Sequence, residues 1–125
     1  MDTQQILYKQ LSYQIVGAGM TVHSTLGPGL QELAYEKSLK IEFGKRDIIA
    51  IRQPHYDIIY EEERVGFFIP DIVVEDKVIL EIKVVDRVTD NHFAQVMSYL
   101  RVTGHRVAYI FNFNLKSFQF KRLIL

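Results

Sequence analysis

IPDIVVEDKVILEIK, residues 69–83, is the stretch of sequence that decides the fold. Branched aliphatic residues dominate both of its arms, and a polar break at 75–77 separates them, a pattern that predicts a β-hairpin. With a three-residue loop at the break, Asp71 lies opposite Glu81. Opposed side chains share a face of the sheet, and Lys83, two residues further on, shares that face too. The pattern therefore brings two carboxylates and an ammonium together at one end of the hairpin.

The loop length matters for this cluster. A two-residue loop would turn Asp71 to the wrong face, because a slip of one residue flips every side chain. Two carboxylates within a few Å of each other repel unless a cation or a proton lies between them. Oxygen ligands of this kind favour Mg²⁺ or Mn²⁺, which can polarise a phosphoryl oxygen and lower the pKa of a bound water. The alternative is an ordinary hairpin that ends in a solvated Asp–Lys pair.

The hairpin also carries a motif. Pro70-Asp71 followed by Glu81-Ile82-Lys83 resembles the signature of the PD-(D/E)XK nuclease superfamily. In that signature the two acidic residues hold a metal ion, and the lysine orients or activates water.

Two further motifs flank the hairpin in the expected order. Residues 29–35 (GLQELAY) fit the G-x-x-E-x-x-Y pattern of the GxxExxY proteins, which resemble a branch of the same superfamily. Downstream, His92, Gln95 and Tyr99 match H-x-x-Q-x-x-x-Y, and its Q-x-x-x-Y part is similar to a motif of RecB-like and lambda-exonuclease-like nucleases. The resemblance extends over nearly the whole chain.

The resemblance implies a fold, a function and a set of site residues. The fold is α/β, with a mixed β-sheet flanked by helices in the restriction-endonuclease-like arrangement. The function is metal-dependent hydrolysis of phosphodiester bonds in nucleic acid, with DNA favoured and Mg²⁺ or Mn²⁺ as cofactor. The implied metal ligands are Asp71, Glu81, the Ile82 carbonyl and, as a helper, Glu32. The other implied site residues are Lys83, which handles water, and Gln95 and Tyr99, which contact phosphate or tune Lys83.

Two other functions remain open. One is a catalytically idle PD-(D/E)XK domain that binds nucleic acid or protein, and an intact Asp71–Glu81–Lys83 set argues for the enzyme instead. The other is a different metal hydrolase on the same hairpin, acting on nucleotides.

Length and composition narrow the class of protein. A chain of 125 residues, 48% hydrophobic and without cysteine, predicts a single domain over residues 1–125 with no disulfides. No apolar run approaches the roughly 18 residues of a membrane span, and the first residues do not resemble a signal peptide, so a cytoplasmic protein is expected. Zero net charge argues against a broad nonspecific coat for nucleic acid. Because so small and neutral a chain has little surface to grip a duplex, we expect a homodimer or a larger homo-oligomer.

Periodicity and turn residues predict the order α-α-β-β-β-α-β-β. The predicted helices are at 3–26, 30–44 and 90–103, and the predicted strands are at 47–60 (bent at Pro54), 65–74, 78–84, 107–113 and 117–123.

The second predicted helix has two candidate faces. One is an apolar stripe formed by Leu30, Leu33, Ala34 and Ile41. The other carries Glu32, Tyr35, Glu36, Leu39 and Phe43. Glu32 is expected to point towards the hairpin site, and Glu36 is expected to be a solvated partner of Lys40. His23, near the end of the first helix, is expected to be structural or solvated.

Overall fold

The structure is a computed structural model that describes residues 8–125. Its elements follow in the order α1 (Lys9–Leu26), α2 (Glu32–Lys45), β1 (Ala50–Arg52), β2 (Tyr56–Tyr60), β3 (Glu63–Phe68), β4 (Ile72–Val74), β5 (Val78–Lys83), α3 (Asp90–Thr103), β6 (Val107–Asn112) and β7 (Gln119–Ile124). The first five residues of the predicted helix 3–26 lie outside the described part of the chain.

Five strands form a mixed sheet in the order β1-β4-β5-β6-β7. Within it, β5 and β6 pair in parallel, and α3 makes the crossover that a parallel pair requires. The core lies on both faces of this sheet. The side chains of β4 and β5 that point to the same face as Ile82 pack with α1 and α2. On the other face, Ile79 and Ile110 pack with Val96 and Leu100 of α3. The predicted mixed sheet flanked by helices is therefore confirmed.

Two predicted strands are each broken in the structure, which corrects the predicted order. The strand at 47–60 splits into β1 and β2, and the strand at 65–74 splits into β3 and β4. Both breaks fall at a proline, Pro54 or Pro70, which cannot donate a hydrogen bond to a neighbouring strand. Gln53 also takes a positive φ of 54°. The strands β2 and β3 pair with each other apart from the main sheet, and we call this two-stranded sheet the β2–β3 ribbon.

The central hairpin has the predicted register. Val74 pairs with Val78 and Ile72 with Leu80, so the loop between β4 and β5 contains three residues, 75–77. Glu75 and Asp76 both adopt a positive φ of 52°, as tight hairpin turns often require. Continued by one step, this register sets Asp71 opposite Glu81.

Helix α2 buries the second of its two candidate faces. Tyr35, Leu39 and Phe43 are fully buried, whereas Leu33 and Ile41 of the predicted apolar stripe are about half exposed or more. The large side chains of Tyr35 and Phe43 bury more apolar area than the stripe would. The Tyr35 hydroxyl can be buried because it donates to the Gly27 carbonyl at 2.6 Å and accepts from the Leu30 N–H at 3.1 Å.

Two helical glycines offer a matched test of packing. A Cβ on Gly19 would lie 2.5 Å from the ring of Phe118 and 2.7 Å from that of Phe111, whereas a Cβ on Gly44 would meet nothing within 4 Å. We expect Gly19→Ala to lower the free energy of unfolding by about 1–3 kcal/mol through overpacking. Gly44→Ala should raise it by up to about 1 kcal/mol, because alanine favours the helix. Urea denaturation of both variants measures the difference, and equal effects would contradict the close packing of α1 against these rings.

Candidate active site

Asp71 and Glu81 lie where β4 has ended and β5 continues. The Asp71 N–H donates to Glu81 Oε2 at 2.6 Å, and the Ile82 N–H donates to Asp71 Oδ2 at 2.7 Å. Because β4 begins only at Ile72, the Asp71 carboxylate takes the place of a strand partner for Ile82. The pair is therefore held in position by the backbone of the hairpin itself.

Burial dominates the electrostatics of this pair. Burial, together with the nearby Asp71 charge, raises the pKa of Glu81 to about 8. Burial likewise raises the pKa of Asp71 to about 6, to which the charges of Glu36 and Glu32 contribute, while the Ile82 N–H and Lys83 oppose the rise. Two carboxyl groups this close titrate as one unit, so at neutral pH the pair holds a proton or attracts a cation.

Lys83 lies at the end of β5, on the same face as Glu81. It pairs in register with Asn112 of β6, and its carbonyl accepts the Phe113 N–H at 3.0 Å. The side chain is half-buried, and its positive charge lowers the pKa of both carboxyl groups. The structure thus brings together the three hairpin residues that the sequence singled out.

Glu32 and Glu36 approach Asp71 from α2. They line a cavity of about 210 Å³ between α2 and the end of the hairpin, whose walls are Glu32, Leu33, Glu36, Gln53, Asp71 and Ile82. Glu32 is exposed and lies in the first turn of the helix. Its charge raises the pKa of both hairpin carboxyl groups, and it shares a cavity wall with Asp71.

Glu36 is not the solvated partner of Lys40 that the sequence suggested. It is only 4% exposed, and its Oε2 accepts from Arg52 Nη2 at 2.7 Å and from Gln53 Nε2 at 3.2 Å. Lys40 instead donates to the carbonyl of Ala50. Arg52 of β1 supplies a planar cationic partner that compensates for the burial of this carboxylate.

Glu36 is also connected to Asp71, a link that sequence reasoning missed. The Gln53 side chain contacts Glu36, and the Gln53 N–H donates to the Asp71 carbonyl at 2.8 Å. Within the described residues, Glu36 Oε1 is buried without a hydrogen-bond partner. The only local signal was that Glu36 follows Glu32 by one helical turn.

Helix α3 brings Tyr99 close to the carboxylate pair and leaves Gln95 exposed. The Tyr99 ring stacks on Phe68 of the ribbon with ring centroids 4.2 Å apart, and burial followed by the charges of Glu81 and Asp71 raises the pKa of its hydroxyl. Gln95 is exposed, and no hydrogen bond joins it to the carboxylates within residues 8–125. His92 accepts the Thr89 N–H at 3.0 Å in a capping box, so its place is at the helix start.

His23 and Asn112 are buried polar residues outside the pair. A ring nitrogen of His23 lies 2.9 Å from the Leu115 carbonyl, in agreement with a structural role. Asn112 Nδ2 donates to the Val85 carbonyl at 2.9 Å, and the Val85 N–H donates back to Asn112 Oδ1 at 3.2 Å. These bonds fasten the chain two residues beyond Lys83.

The donors at this site suit a hard divalent cation. The pair offers carboxylate oxygens whose burial favours neutralisation by a positive charge, and Glu32 and Glu36 add negative charge beside them. Among residues 8–125, however, no three His, Cys, Asp or Glu side chains are arranged as a metal cage. The fit to a metal thus rests on the chemistry of the two carboxylate donors, Asp71 and Glu81, and on the negative charge beside them.

A comparison with models of protein families identifies the superfamily of this chain. The model of the PD-(D/E)XK nuclease superfamily matches residues 9–123. The chain belongs to the PD-(D/E)XK nuclease superfamily. PD-(D/E)XK nucleases generally use divalent metals, in keeping with the donors described above.

Comparisons with individual proteins add the fold alone. No curated protein matches this PD-(D/E)XK chain. Among solved structures it is similar to the crystal structure of SSO0001, with a TM-score of 0.57 and 14% sequence identity. The likeness covers 97% of this chain and 61% of that one, so this PD-(D/E)XK chain spans about three fifths of that protein. Of the helices in residues 8–125, none has the length and apolar character needed to cross a membrane.

Proposed function

We propose that this chain is a metal-dependent nuclease that hydrolyses phosphodiester bonds of nucleic acid, with DNA favoured over RNA. The observation that carries the proposal is the Asp71–Glu81 pair, in which Glu81 is buried and Asp71 partly buried, with Lys83 on the same face of β5 as Glu81. A pair whose burial raises both pKa values is poised to exchange a proton for a cation.

The proposed metal ligands are Asp71, Glu81 and the Ile82 carbonyl, with Glu32 assisting. In an extended strand the N–H and C=O of one residue point to the same edge, and the Ile82 N–H faces Asp71. The carbonyl is therefore directed to the same side. When bound, Mg²⁺ or Mn²⁺ would polarise the phosphoryl oxygen and lower the pKa of a bound water.

Lys83 would act on the attacking water and on the phosphate. Its ammonium donates hydrogen bonds, so it can orient the attacking water. It can also neutralise the negative charge that develops while the water oxygen bonds to phosphorus and the bond from phosphorus to the leaving sugar oxygen breaks. We assign Tyr99 and Gln95 to phosphate contact. The proximity of Tyr99 to both carboxylates supports its assignment, whereas exposed Gln95 would reach the substrate only from the rim.

We also propose that the chain is a GxxExxY protein, close to RecB-like nucleases. The structure supplies a physical reason for each position of that motif. Gly29 takes a positive φ of 97°, Glu32 faces the carboxylate pair, and the Tyr35 hydroxyl holds the loop through Gly27 and Leu30. The motif would thus fix the loop that delivers Glu32.

A binding module is the second candidate. Each carboxylate of the pair already accepts a backbone N–H, so the pair also holds the hairpin together without a metal.

We further propose that residues 1–125 act as one domain. The homo-oligomer expected from size and charge stays a prediction. Light scattering at micromolar protein concentration tests it by measuring the molecular mass, and a monomer mass would count against it.

Digestion of labelled linear and circular DNA and RNA in Mg²⁺, Mn²⁺ and Ca²⁺ tests the proposal. We expect cleavage in Mg²⁺ or Mn²⁺, and its loss in Asp71→Asn, because the variant lacks one anionic ligand. Excess Mn²⁺ should restore part of this activity, since mass action offsets weakened affinity. Asp47→Asn is a matched control, because Asp47 is exposed and has a positive φ that asparagine also adopts. If the wild type binds nucleic acid but never cuts it, the binding module replaces the enzyme.

A further inference from the structure

A second cavity lies beside Lys83, and the nuclease proposal does not use it. It has a volume of about 310 Å³, and we call it the β6–β7 pocket. Its walls come from five parts of the fold, namely a loop, α3, β6, a second loop and β7: Asp86, Arg87, Val88, Phe93, Ile110, Asn112, Leu115, Gln119, Phe120 and Lys121. The size is at the lower end of the roughly 300–1,000 Å³ of ligand sites, enough for a nucleobase and little more.

The pocket is adjacent to the carboxylate pair on the same face of the sheet. Lys83 pairs with Asn112 across β5 and β6, and Asn112 pairs with Gln119 across β6 and β7. Neighbouring strands lie about 4.8 Å apart, so the pocket begins one to two strand spacings from Lys83. A nucleotide next to the scissile phosphate would reach it.

The pocket is built before any ligand arrives. Asn112 is 2% exposed, and its two hydrogen bonds with Val85 fasten the segment that leads to Arg87. Asn114 Nδ2 donates to Asp86 Oδ1 at 3.1 Å and fastens the same segment again. These bonds occupy the side chain of Asn112, which therefore shapes the wall and leaves ligand contacts to its neighbours.

The lining has the chemistry of a nucleotide site. Val88 and Ile110 give an apolar surface, and Phe93 and Phe120 add aromatic rings on which a base can pack. Arg87 and Lys121 are exposed and form no ion pair with any residue from 8 to 125, so both cations are available to a phosphate. Asp86 also lines the pocket, and its Oδ1 accepts a hydrogen bond from Asn114.

We propose that the β6–β7 pocket receives one unpaired base of the nucleic acid, with Arg87 and Lys121 on its phosphate. The proposal rests on the proposed nuclease function and deepens it, because it names the substrate class. A base inside a duplex would have to leave its stack to enter, at a cost that a single strand does not bear. The preferred substrate is therefore single-stranded nucleic acid or a frayed end.

Binding without cleavage tests the cations. In Ca²⁺, the Kd for a labelled single-stranded oligonucleotide should rise about threefold to tenfold in Arg87→Ala and in Lys121→Ala. The slope of log Kd against log salt should fall by about 0.7 for each phosphate that no longer meets a cation. Lys45→Ala removes the same charge from α2, where Lys45 is 70% exposed, and should bind like the wild type. If Lys45→Ala weakens binding as much as the pocket variants do, attraction is general and the pocket proposal falls.

An abasic scan tests the base. Replacing one base of the oligonucleotide by an abasic site should weaken binding to the wild type about tenfold at one position only. Phe93→Leu keeps an apolar side chain at this position while removing one of the two aromatic rings of the pocket, and should reduce that difference at least about threefold. The proposal would be overturned if the Kd were the same for every position of the abasic site. It would also be overturned if the Kd changed neither with salt concentration nor in Arg87→Ala, because that is the behaviour of an apolar ligand.

The outcomes separate this proposal from the proposed function. Position-specific, Arg87-dependent binding without any cleavage in Mg²⁺ or Mn²⁺ would overturn the nuclease and keep the pocket as a nucleic-acid site. Cleavage that depends on Asp71 but is unchanged in Arg87→Ala, Lys121→Ala and Phe93→Leu would keep the nuclease and overturn the pocket.

Discussion

Replacing Lys83 by alanine is expected to lower the single-turnover cleavage rate by a factor of about 10² or more. The substitution leaves Asp71 and Glu81 in place and removes only the ammonium that we assign to water and developing charge. Excess metal should therefore not restore the rate, in contrast to Asp71→Asn. Binding in Ca²⁺ should weaken only modestly, because one phosphate contact is a small part of an electrostatic footprint.

The matched control is Lys37→Ala, which removes an exposed lysine from α2. It should cut at the wild-type rate. A Lys83→Ala rate within about threefold of the wild type, measured with saturating Mg²⁺, would remove Lys83 from the mechanism.

Replacing Glu81 by glutamine is expected to stabilise the metal-free protein at alkaline pH while abolishing cleavage. In the folded chain the pKa values of Asp71 and Glu81 are about 6 and 8, above their ordinary values of 3.8 and 4.5. Between about pH 4 and pH 8 the folded chain therefore binds more protons than the unfolded chain. The free energy of unfolding falls as pH rises through this window, and the full loss is present above pH 8.

Glutamine carries no charge, and its side-chain oxygen can still accept the Asp71 N–H. We expect Glu81→Gln to gain on the order of a few kcal/mol over the wild type at pH 8.5 in chelator, and little at pH 4. Denaturant unfolding at both pH values measures this gain, with Glu63→Gln on the exposed ribbon as control. Mg²⁺ should stabilise the wild type at pH 8.5 but not the variant. A wild-type stability that rises from pH 5 to pH 8 would contradict the assigned burial of the pair.

Local sequence was sufficient to predict the register of the hairpin and the ends of α3. The register of β4 and β5 follows from loop length and alternation, and the ends of α3 follow from Thr89 and Gly104, which cap it in the structure. These features depend on residues close together in the chain, where propensity and turn chemistry decide the outcome.

Long-range contacts decided what the sequence could not show. Strands β1 and β2 read as one bent strand, because nothing local reveals that β1 pairs with β4 while β2 pairs with β3. Glu36 looked solvated, because its partner Arg52 comes from a strand 16 residues away. The β6–β7 pocket was missed for the same reason, since its walls come from five separate parts of the fold.

The parallel pairing of β5 with β6 has a consequence for the order in which the chain is made. Asp71 and Glu81 belong to a local hairpin, but the Lys83 carbonyl is held by the Phe113 N–H, 30 residues further along the chain. During synthesis the carboxylates leave the ribosome well before the strand that holds this end of the hairpin. A nascent chain would therefore carry both carboxylates before this end of the hairpin is fixed, and the proposed nuclease would be able to cut only after the sheet closes.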